Sequence, residues 1–153
     1  MPQFRSVAVT DPLAHELLTE YFRYRAESFP TPSGYVTTFP AAEQFVEPNG
    51  VFLLLEDAGM PLGCGGIRRL EPARFEVKHL WVRPAARGTG SGRALLRTLE
   101  EHARTLGATE LVLDTNESLA AAGGLYRSSG FEPCEPYNDN PNATTWYLKS
   151  LVD

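Results

Sequence analysis

The sequence predicts a fold of the α/β (α+β) class, with a central sheet flanked by helices, and three observations predict it. Strand and helix patterns follow the order strand, helix, short helix, three strands, helix, strand, helix and two strands. Short turns join the three central strands, which is typical of an antiparallel meander. A glycine-rich stretch then leads into an amphipathic helix. With 153 residues, 42% of them hydrophobic, we expect a single domain over residues 1–153.

A strand and a helix form the first predicted pair. Apolar residues alternate with small or polar ones over 4–10, and Asp11 with the proline after it is typical of a helix start. Apolar residues then keep helical spacing over 12–28. Prolines and a glycine interrupt this pattern over 29–40, where we expect a mobile loop whose role the sequence leaves open. A short helix is expected over 41–46.

The rest of the chain alternates strands with two helices. Gly107 follows the first of these helices, and Gly130 sits where a left-handed C-terminal cap of the second belongs. The predicted strands cover 51–56, 62–70, 74–82, 110–114, 131–135 and 144–151, and the predicted helices cover 94–106 and 118–129.

The composition argues against several classes of function. A net charge of −5 and the lack of a run of basic residues disfavour nucleic-acid binding. Cys64 and Cys134 have no second cysteine or histidine at metal-ligand spacing, so we expect no metal and no disulfide framework. The N-terminus lacks a signal-peptide pattern, and no apolar run approaches the roughly 20 residues that span a bilayer. We therefore expect a cytoplasmic protein with no membrane partner.

Residues 80–92 combine a strand, a tight turn and a glycine-rich loop directly before a helix. Backbone N–H groups converge at such a helix N-terminus, where the helix dipole favours an anion and glycines allow close approach. This arrangement indicates a phosphate site, although a plain connection is the alternative. Arg93 stands where a dinucleotide fingerprint needs its third glycine, and the lysine of a P-loop is missing. Both departures disfavour a nucleotide.

Two motifs in the right order resemble those of the GNAT superfamily of N-acetyltransferases. Residues 87–92, Arg-Gly-Thr-Gly-Ser-Gly, resemble its Arg/Gln-x-x-Gly-x-Gly/Ala pyrophosphate loop. Residues 125–131, Leu-Tyr-Arg-Ser-Ser-Gly-Phe, resemble its Leu-Tyr-x-x-x-Gly-Phe segment. The resemblance covers 51–151 and points to a bacterial member of the small-molecule type. The first fifty residues match only in general pattern.

The resemblance implies a fold, a reaction and a co-substrate. The mixed sheet would be splayed between the fourth and fifth strands, and acetyl-CoA would enter between the strands that end at Val82 and Asp114. The protein would transfer an acetyl group from acetyl-CoA to an amine by direct attack in a ternary complex. The acceptor, a small-molecule amine or a protein amine, stays open, and a homodimer is a family-level expectation.

The same resemblance implies the residues that hold acetyl-CoA. The loop N–H groups would bind the pyrophosphate, and the strand segment Leu80, Trp81, Val82 would pair with the pantetheine arm. The N–H of Leu80 would polarise the thioester carbonyl. Asn116 would contact the cofactor arm, with a helix N-cap as the alternative. The loop residues are Arg87, Gly88, Thr89, Gly90, Ser91 and Gly92.

Two residues are candidates for proton transfer. By resemblance, Tyr126 would protonate the leaving thiolate, since a phenol with a pKa of about 10 suits that task; a core aromatic is the alternative. Glu76 resembles the general base of the histone-acetylating branch, and a water chain could replace it. A strand period of two puts one set of β-strand residues on a single face unless a bulge intervenes: Glu76, Lys78, Leu80 and Val82. His79 would then point to the other face and be packed.

Two further interpretations stay open at this point. The fold could bind acyl-CoA without turnover, as a sensor or an interaction module. The polar segment 136–142, which resembles a Tyr-Asn-x-Asn-Pro segment of a bacterial subset of the superfamily, could be a plain turn or a hydrogen-bonding rim for a polar acceptor.

Overall fold

Seven strands and three α-helices alternate along residues 2–31 and 34–152, which are the residues that the computed structural model describes. The helices are α1 (Pro12–Ser28), α2 (Ser91–Thr105) and α3 (Ala120–Ser128). The strands are β1 (Gln3–Ser6), β2 (Gly50–Asp57), β3 (Met60–Glu71), β4 (Arg74–Val82), β5 (Glu110–Thr115), β6 (Glu132–Cys134) and β7 (Thr145–Ser150).

All seven strands form one mixed sheet in the order β1-β2-β3-β4-β5-β7-β6. Its one parallel pair among the described residues is β4 with β5, and this pairing runs only from Arg74 with Glu110 to Glu76 with Val112. Beyond Glu76 the two strands separate. The predicted fold class, with a sheet splayed between its fourth and fifth strands, is confirmed.

Local sequence explains the ends of the helices. The Oδ1 atom of Asp11 accepts hydrogen bonds from the N–H groups of Leu13 at 2.9 Å and Ala14 at 3.4 Å, and a proline occupies the first position of α1. Gly107 and Gly130 follow α2 and α3 with φ of 99° and 97°, the left-handed conformation that glycine adopts most readily.

Helices cover both faces of the sheet and bury two hydrophobic cores. On one face, Leu95 and Leu99 of α2 pack with Phe75 and Leu111 of the sheet. On the other, Leu17, Leu18 and Phe22 of α1 pack with Phe52 and Trp81. The strands β4 and β5 lie between these cores, so their separation opens a space that both helix layers border.

Several elements are shorter than predicted. The strand expected over 4–10 ends at Ser6, because the chain already turns where the N–H of Asp11 donates to the carbonyl of Ala8 at 3.0 Å. The short helix is a single 3-10 turn, Ala42–Phe45. Within the loop expected over 29–40, the described residues hold no helix or strand, and Pro32 and Ser33 lie outside the described residues.

Three features bear on disulfides, membrane insertion and metal binding. Cys64 is buried, Cys134 is half-buried, and neither is in a disulfide. Among the residues that the structure describes, no helix has the length and apolar character to cross a bilayer. No cluster of three potential metal ligands occurs within those same residues.

Candidate active site

A cavity of about 780 Å³ opens where β4 and β5 separate. Its walls come from the second half of α1, the segment that follows it, the end of β4, the start of α2, and α3. Most of the residues predicted to bind acetyl-CoA line it, together with the predicted acid. These are Leu80, Trp81, Val82, Arg87, Gly88, Gly90, Ser91, Gly92 and Tyr126.

The glycine-rich loop presents the N-terminus of α2 to this cavity. Gly88 and Gly90 have φ of 79° and 83°, a left-handed conformation that other residues adopt at a cost. Gly90 is the N-cap of α2 and offers no side-chain acceptor to the first turn, which also contains no acidic residue. Within the described part of the chain, the N–H groups at this end of the helix therefore have no side-chain cap, and they suit an anion such as a pyrophosphate.

Two loop side chains hold the loop in place. Thr89 does not line the cavity; its Oγ1 donates to the carbonyl of Ala86 at 2.5 Å and lies 2.7 Å from Oγ of Ser91. Arg87 stacks its guanidinium over the rings of Tyr24 and Trp81, 5.2 and 4.9 Å from their centroids. The loop is thus fixed to α1 and β4.

A β-bulge interrupts β4 next to the cavity. Cys64 pairs with Trp81 and Gly66 with Lys78, so two residue steps of β3 face three of β4. His79 carries the strain of the bulge with φ of 59°.

The bulge decides which residues of β4 share a face. Leu80 packs against the core on the α2 side, and a Cβ at Gly92 of α2 would lie 3.8 Å from Cγ2 of Val82. Glu76, in contrast, binds Arg68, which in turn binds Gln44 on the α1 side. The bulge is the exception under which Glu76 was not expected to share a face with Leu80 and Val82, and the three residues do not share one, because one extra residue reverses the alternation beyond it.

His79 lies on the same face as Glu76, not on the opposite face as predicted, and it is packed as predicted. Its ring contacts those of Tyr21, Phe22 and Phe45, with centroids 5.5 to 6.0 Å away. Burial, helped by the charge of Lys78, lowers the pKa of His79 to about 3. Its Nδ1 atom is buried without a hydrogen-bond partner among the residues that the structure describes. The imidazole is therefore neutral at physiological pH.

Tyr126 lies on α3, where its ring packs against Phe131 and Tyr147 and borders the cavity. The residue is 8% exposed, and its hydroxyl makes no hydrogen bond to any residue that the structure describes. Burial, together with the nearby phenol of Tyr21, raises the pKa of Tyr126 above its usual value of 10. The phenol is both a core aromatic and a protonated donor at the cavity wall.

Glu76 is fully buried, and both of its carboxylate oxygens are bound. Arg68 donates from Nε and Nη2 to Oε1, each at 2.8 Å, and the hydroxyl of Tyr137 donates to Oε2 at 2.5 Å. Glu76 itself does not line the cavity, whereas Arg68 does. Sequence reasoning missed the role of Tyr137, although this residue lies in the polar segment 136–142 that the sequence singled out.

The segment 136–142 forms part of the cavity wall. Asn138 donates from Nδ2 to Oδ2 of Asp114 at 2.7 Å and accepts at Oδ1 from the indole N–H of Trp146 at 2.8 Å. Asn142 exchanges two hydrogen bonds with the backbone of Val36, at 2.7 and 2.9 Å. These asparagines fix the segment to β5, to β7 and to the chain that follows α1.

Asn116 is 3% exposed and lies next to this segment. Its Oδ1 accepts from the N–H of Ser118 at 3.0 Å, and its Nδ2 donates to the carbonyl of Asn142 at 3.2 Å. It closes a turn ahead of α3, whose N-cap is Leu119, so the alternative of a helix N-cap is wrong. Contact of Asn116 with the cofactor stays a prediction.

The mixed sheet splayed beside the N-terminus of α2 defines an α/β protein with a cavity suited to an anionic ligand, and the comparisons with known proteins name the family. Residues 12–131 match the profile of the acetyltransferase (GNAT) family, and the chain belongs to this family.

Relatives with the same kind of name are found in bacteria and eukaryotes. An IAA acetyltransferase of Azospirillum brasilense is 34% identical over 130 residues, which cover 82% of this chain and 83% of that protein. An uncharacterized N-acetyltransferase of Schizosaccharomyces pombe is 36% identical over 104 residues, which cover 67% of this chain and 64% of that protein. The match to human N-acetyltransferase 8B spans 28% of its length.

Solved structures share the fold. A GNAT-family acetyltransferase from Staphylococcus aureus superposes with a TM-score of 0.78 at 17% identity, covering 98% of this chain and 100% of that one. A GNAT-family acetyltransferase from Elizabethkingia anophelis, solved with acetyl-CoA bound, superposes with a TM-score of 0.69 at 18% identity and covers 98% of both chains.

Proposed function

We propose that the protein is an N-acetyltransferase that transfers the acetyl group of acetyl-CoA directly to an amine in a ternary complex. One observation carries the proposal: a single cavity joins the N-terminus of α2, the end of β4 whose edge toward β5 is unpaired, and Tyr126. An anion site, an open strand edge and a proton donor are the three groups that this reaction needs.

The residues present fit acetyl-CoA, which supplies an activated thioester when it is bound. The N–H groups of the loop from Arg87 to Gly92 would hold its pyrophosphate, because they end a helix that no side chain caps. The strand edge at Leu80 to Val82 would pair with the amide groups of the pantetheine arm. The N–H of Leu80 would donate to the thioester carbonyl, where negative charge develops during attack.

Tyr126 would act as the acid of the reaction. Burial keeps its phenol protonated, so the proton is present when the sulfur of the leaving group needs it. The hydroxyl has no competing partner among the described residues. This combination supports a donor that is available for one proton transfer in each turnover.

Glu76 would act as a positioning residue, since Arg68 and Tyr137 occupy both carboxylate oxygens. Water in the cavity would then take the proton of the amine. In this proposal Glu76 keeps Arg68 at the cavity wall and, through Tyr137, anchors the segment 136–142.

The proposal is tested by a screen of amines that follows release of CoA from acetyl-CoA, with binding of acetyl-CoA measured in parallel. Release that depends on an amine, with an N-acetylated product detected by mass spectrometry, is the expected result. Tight binding of acetyl-CoA without release for any amine would overturn it. That result would favour the alternative of a non-catalytic acyl-CoA sensor or interaction module.

A further inference from the structure

A buried arginine without an anionic partner borders the cavity. Arg25 lies on α1 and is 9% exposed. Its Nη1 donates to the hydroxyl of Tyr21 at 3.0 Å and its Nη2 to the carbonyl of Asn142 at 3.5 Å. No carboxylate of the described residues lies within 4.0 Å of its guanidinium. A buried cation that meets only neutral groups is costly unless an anion binds it.

The other cations at the cavity wall are already explained. Arg68 is paired with Glu76 at 2.8 Å, and Lys78 with Asp114 at 3.7 Å. The remaining two wall arginines belong to the glycine-rich loop and the first turn of α2, where the anionic part of acetyl-CoA would bind. Among these described cations of the cavity wall, Arg25 is therefore the one whose charge is neither paired with a carboxylate nor part of the glycine-rich loop and the start of α2.

The surroundings of Arg25 place it where an acceptor would sit. Its guanidinium lies over the rings of Tyr35 and Tyr21, 5.1 and 5.9 Å from their centroids. Burial raises the pKa of the Tyr126 phenol and the charge of Arg25 lowers it, so Arg25 lies within electrostatic reach of Tyr126. Phe22 and Phe39, whose rings are 4.8 Å apart, supply an apolar wall beside this point.

We propose that the acceptor is an amine that also carries a carboxylate, such as an α-amino acid with an apolar side chain, and that Arg25 binds the carboxylate. This inference rests on the proposed acetyl transfer. A guanidinium presents a planar fork of donors that matches a carboxylate, which makes Arg25 a specificity-determining residue. The aromatic wall would receive the apolar side chain, and the amine would be directed to the region of Tyr126 and Leu80.

The test compares matched acceptors. Phenylalanine, leucine and methionine are each assayed beside the primary amide and the decarboxylated amine of the same side chain, by CoA release. We expect kcat/KM for the acids to exceed that for the amides by at least about tenfold. Arg25→Gln should lower kcat/KM for the acids by about 10- to 100-fold, mainly through KM, as expected for loss of a charged hydrogen bond. The decarboxylated amines should change by less than about twofold.

Two variants of the same helix serve as controls. Arg23→Gln removes an exposed arginine of α1 and should leave both the acids and the amides unchanged. Arg25→Lys keeps the charge but loses the fork, so it should fall between wild type and Arg25→Gln. Melting temperatures and the Kd for acetyl-CoA are measured for each variant. Equal use of acids and amides by the wild type, or an equal loss for both in Arg25→Gln, would overturn the proposal.

A binding measurement separates failure of this inference from failure of the proposed function. The melting temperature of the wild type is measured in saturating CoA with each acid and each amide. A rise with acids alone, without CoA release from acetyl-CoA, would leave the carboxylate site standing and reject acetyl transfer. Turnover of amides as fast as acids would leave acetyl transfer standing and reject the carboxylate site. The carboxylate site would also be rejected if no acid is bound and no acid is acetylated.

Discussion

The hydroxyl of Tyr137 donates a 2.5 Å hydrogen bond to Oε2 of Glu76, across 61 residues of the chain. Burial, followed by the charge of Glu76, raises the pKa of Tyr137, so the phenol is protonated and can donate this bond near neutral pH. Arg68 holds the other carboxylate oxygen. Glu76 thereby joins β3, β4 and the segment 136–142, three of the elements that border the cavity.

Replacement of Glu76 by Gln tests whether this carboxylate positions the wall or removes the proton of the amine. We expect a loss of about 1–3 kcal/mol in the free energy of unfolding, because a buried charged hydrogen-bond network is broken. We expect kcat/KM to fall by less than about tenfold, with the ascending limb of its pH profile retained. Denaturant unfolding and a pH series of kcat/KM measure the two effects.

Tyr137→Phe is the matched control, since it breaks the same network but keeps the carboxylate. If Glu76 is a positioning residue, the two variants should have similar pH profiles. If Glu76 is the direct base, only Glu76→Gln should lose the ascending limb and leave a slow reaction that rises as the free amine deprotonates.

Local chemistry made much of the fold predictable from the sequence. The strand predicted over 74–82 is β4 (Arg74–Val82), and the cap at Asp11 and the glycines after α2 and α3 are where the pattern put them. Each of these signals depends on a residue and its immediate neighbours. The glycine-rich loop could be predicted in the same way, because the spacing of its glycines between a strand and a helix is a local feature of the sequence.

The features that were not predicted depend on contacts between distant segments. The bulge at His79 arises from pairing with β3, and one extra residue there moved Leu80 and Val82 away from the face of Glu76. The bond between Tyr137 and Glu76 joins residues whose separation gives no periodic signal. The charge of Arg25 drew no attention in the sequence, since only the fold reveals which arginines have carboxylate partners.

Gly90→Asp tests the anion site at the N-terminus of α2. In the wild type, acetyl-CoA should raise the melting temperature far more than NAD or ATP does, because a ligand that binds the native state stabilises it. In Gly90→Asp most of this rise should disappear, since a carboxylate would stand where a pyrophosphate oxygen belongs. Thermal unfolding with and without each ligand, and the Kd for acetyl-CoA, provide the measurement.

Gly59→Asp controls for backbone strain. Gly59, in the turn between β2 and β3, has φ of 78°, close to the 83° of Gly90, and a Cβ at either position would meet nothing within 4 Å. Both variants should lose about 1 kcal/mol of stability through the left-handed conformation. Gly59→Asp should keep the acetyl-CoA effect. An unchanged Kd in Gly90→Asp, or stabilisation by NAD as large as by acetyl-CoA, would contradict the phosphate site.

His79 should make the protein less stable in acid. The folded state keeps this imidazole neutral down to about pH 3, whereas the unfolded chain protonates it near its ordinary pKa of 6.5. Between these values the unfolded state binds more protons, so the free energy of unfolding falls as the pH falls, by up to about 1.4 kcal/mol per pH unit. Above pH 6.5 the imidazole is neutral in both the folded and the unfolded state, so the protein keeps the stability that it loses in acid.

His79→Asn removes the titration and keeps a residue type that tolerates a positive φ. Its free energy of unfolding should be lower at pH 7, because the buried ring is lost, but should depend less on pH between 4 and 6.5. His102→Asn, on α2 outside the cavity, should keep the wild-type dependence. Urea unfolding at several pH values measures the slopes, and parallel curves for His79→Asn and wild type would show that His79 is not the source.

Tyr126→Phe separates proton transfer from packing at the cavity wall. Phenylalanine retains the ring that contacts Phe131 and Tyr147 and removes only the hydroxyl, so the melting temperature and the Kd for acetyl-CoA should stay near wild type. The kcat should fall about 10²-fold, the range expected for loss of one proton-transfer group. Tyr147→Phe removes a neighbouring hydroxyl that accepts a hydrogen bond from Arg127 at 3.0 Å, and it should keep its kcat. If Tyr126→Phe instead turns over at the wild-type rate and unfolds more easily, Tyr126 is a core aromatic and another group protonates the leaving thiolate.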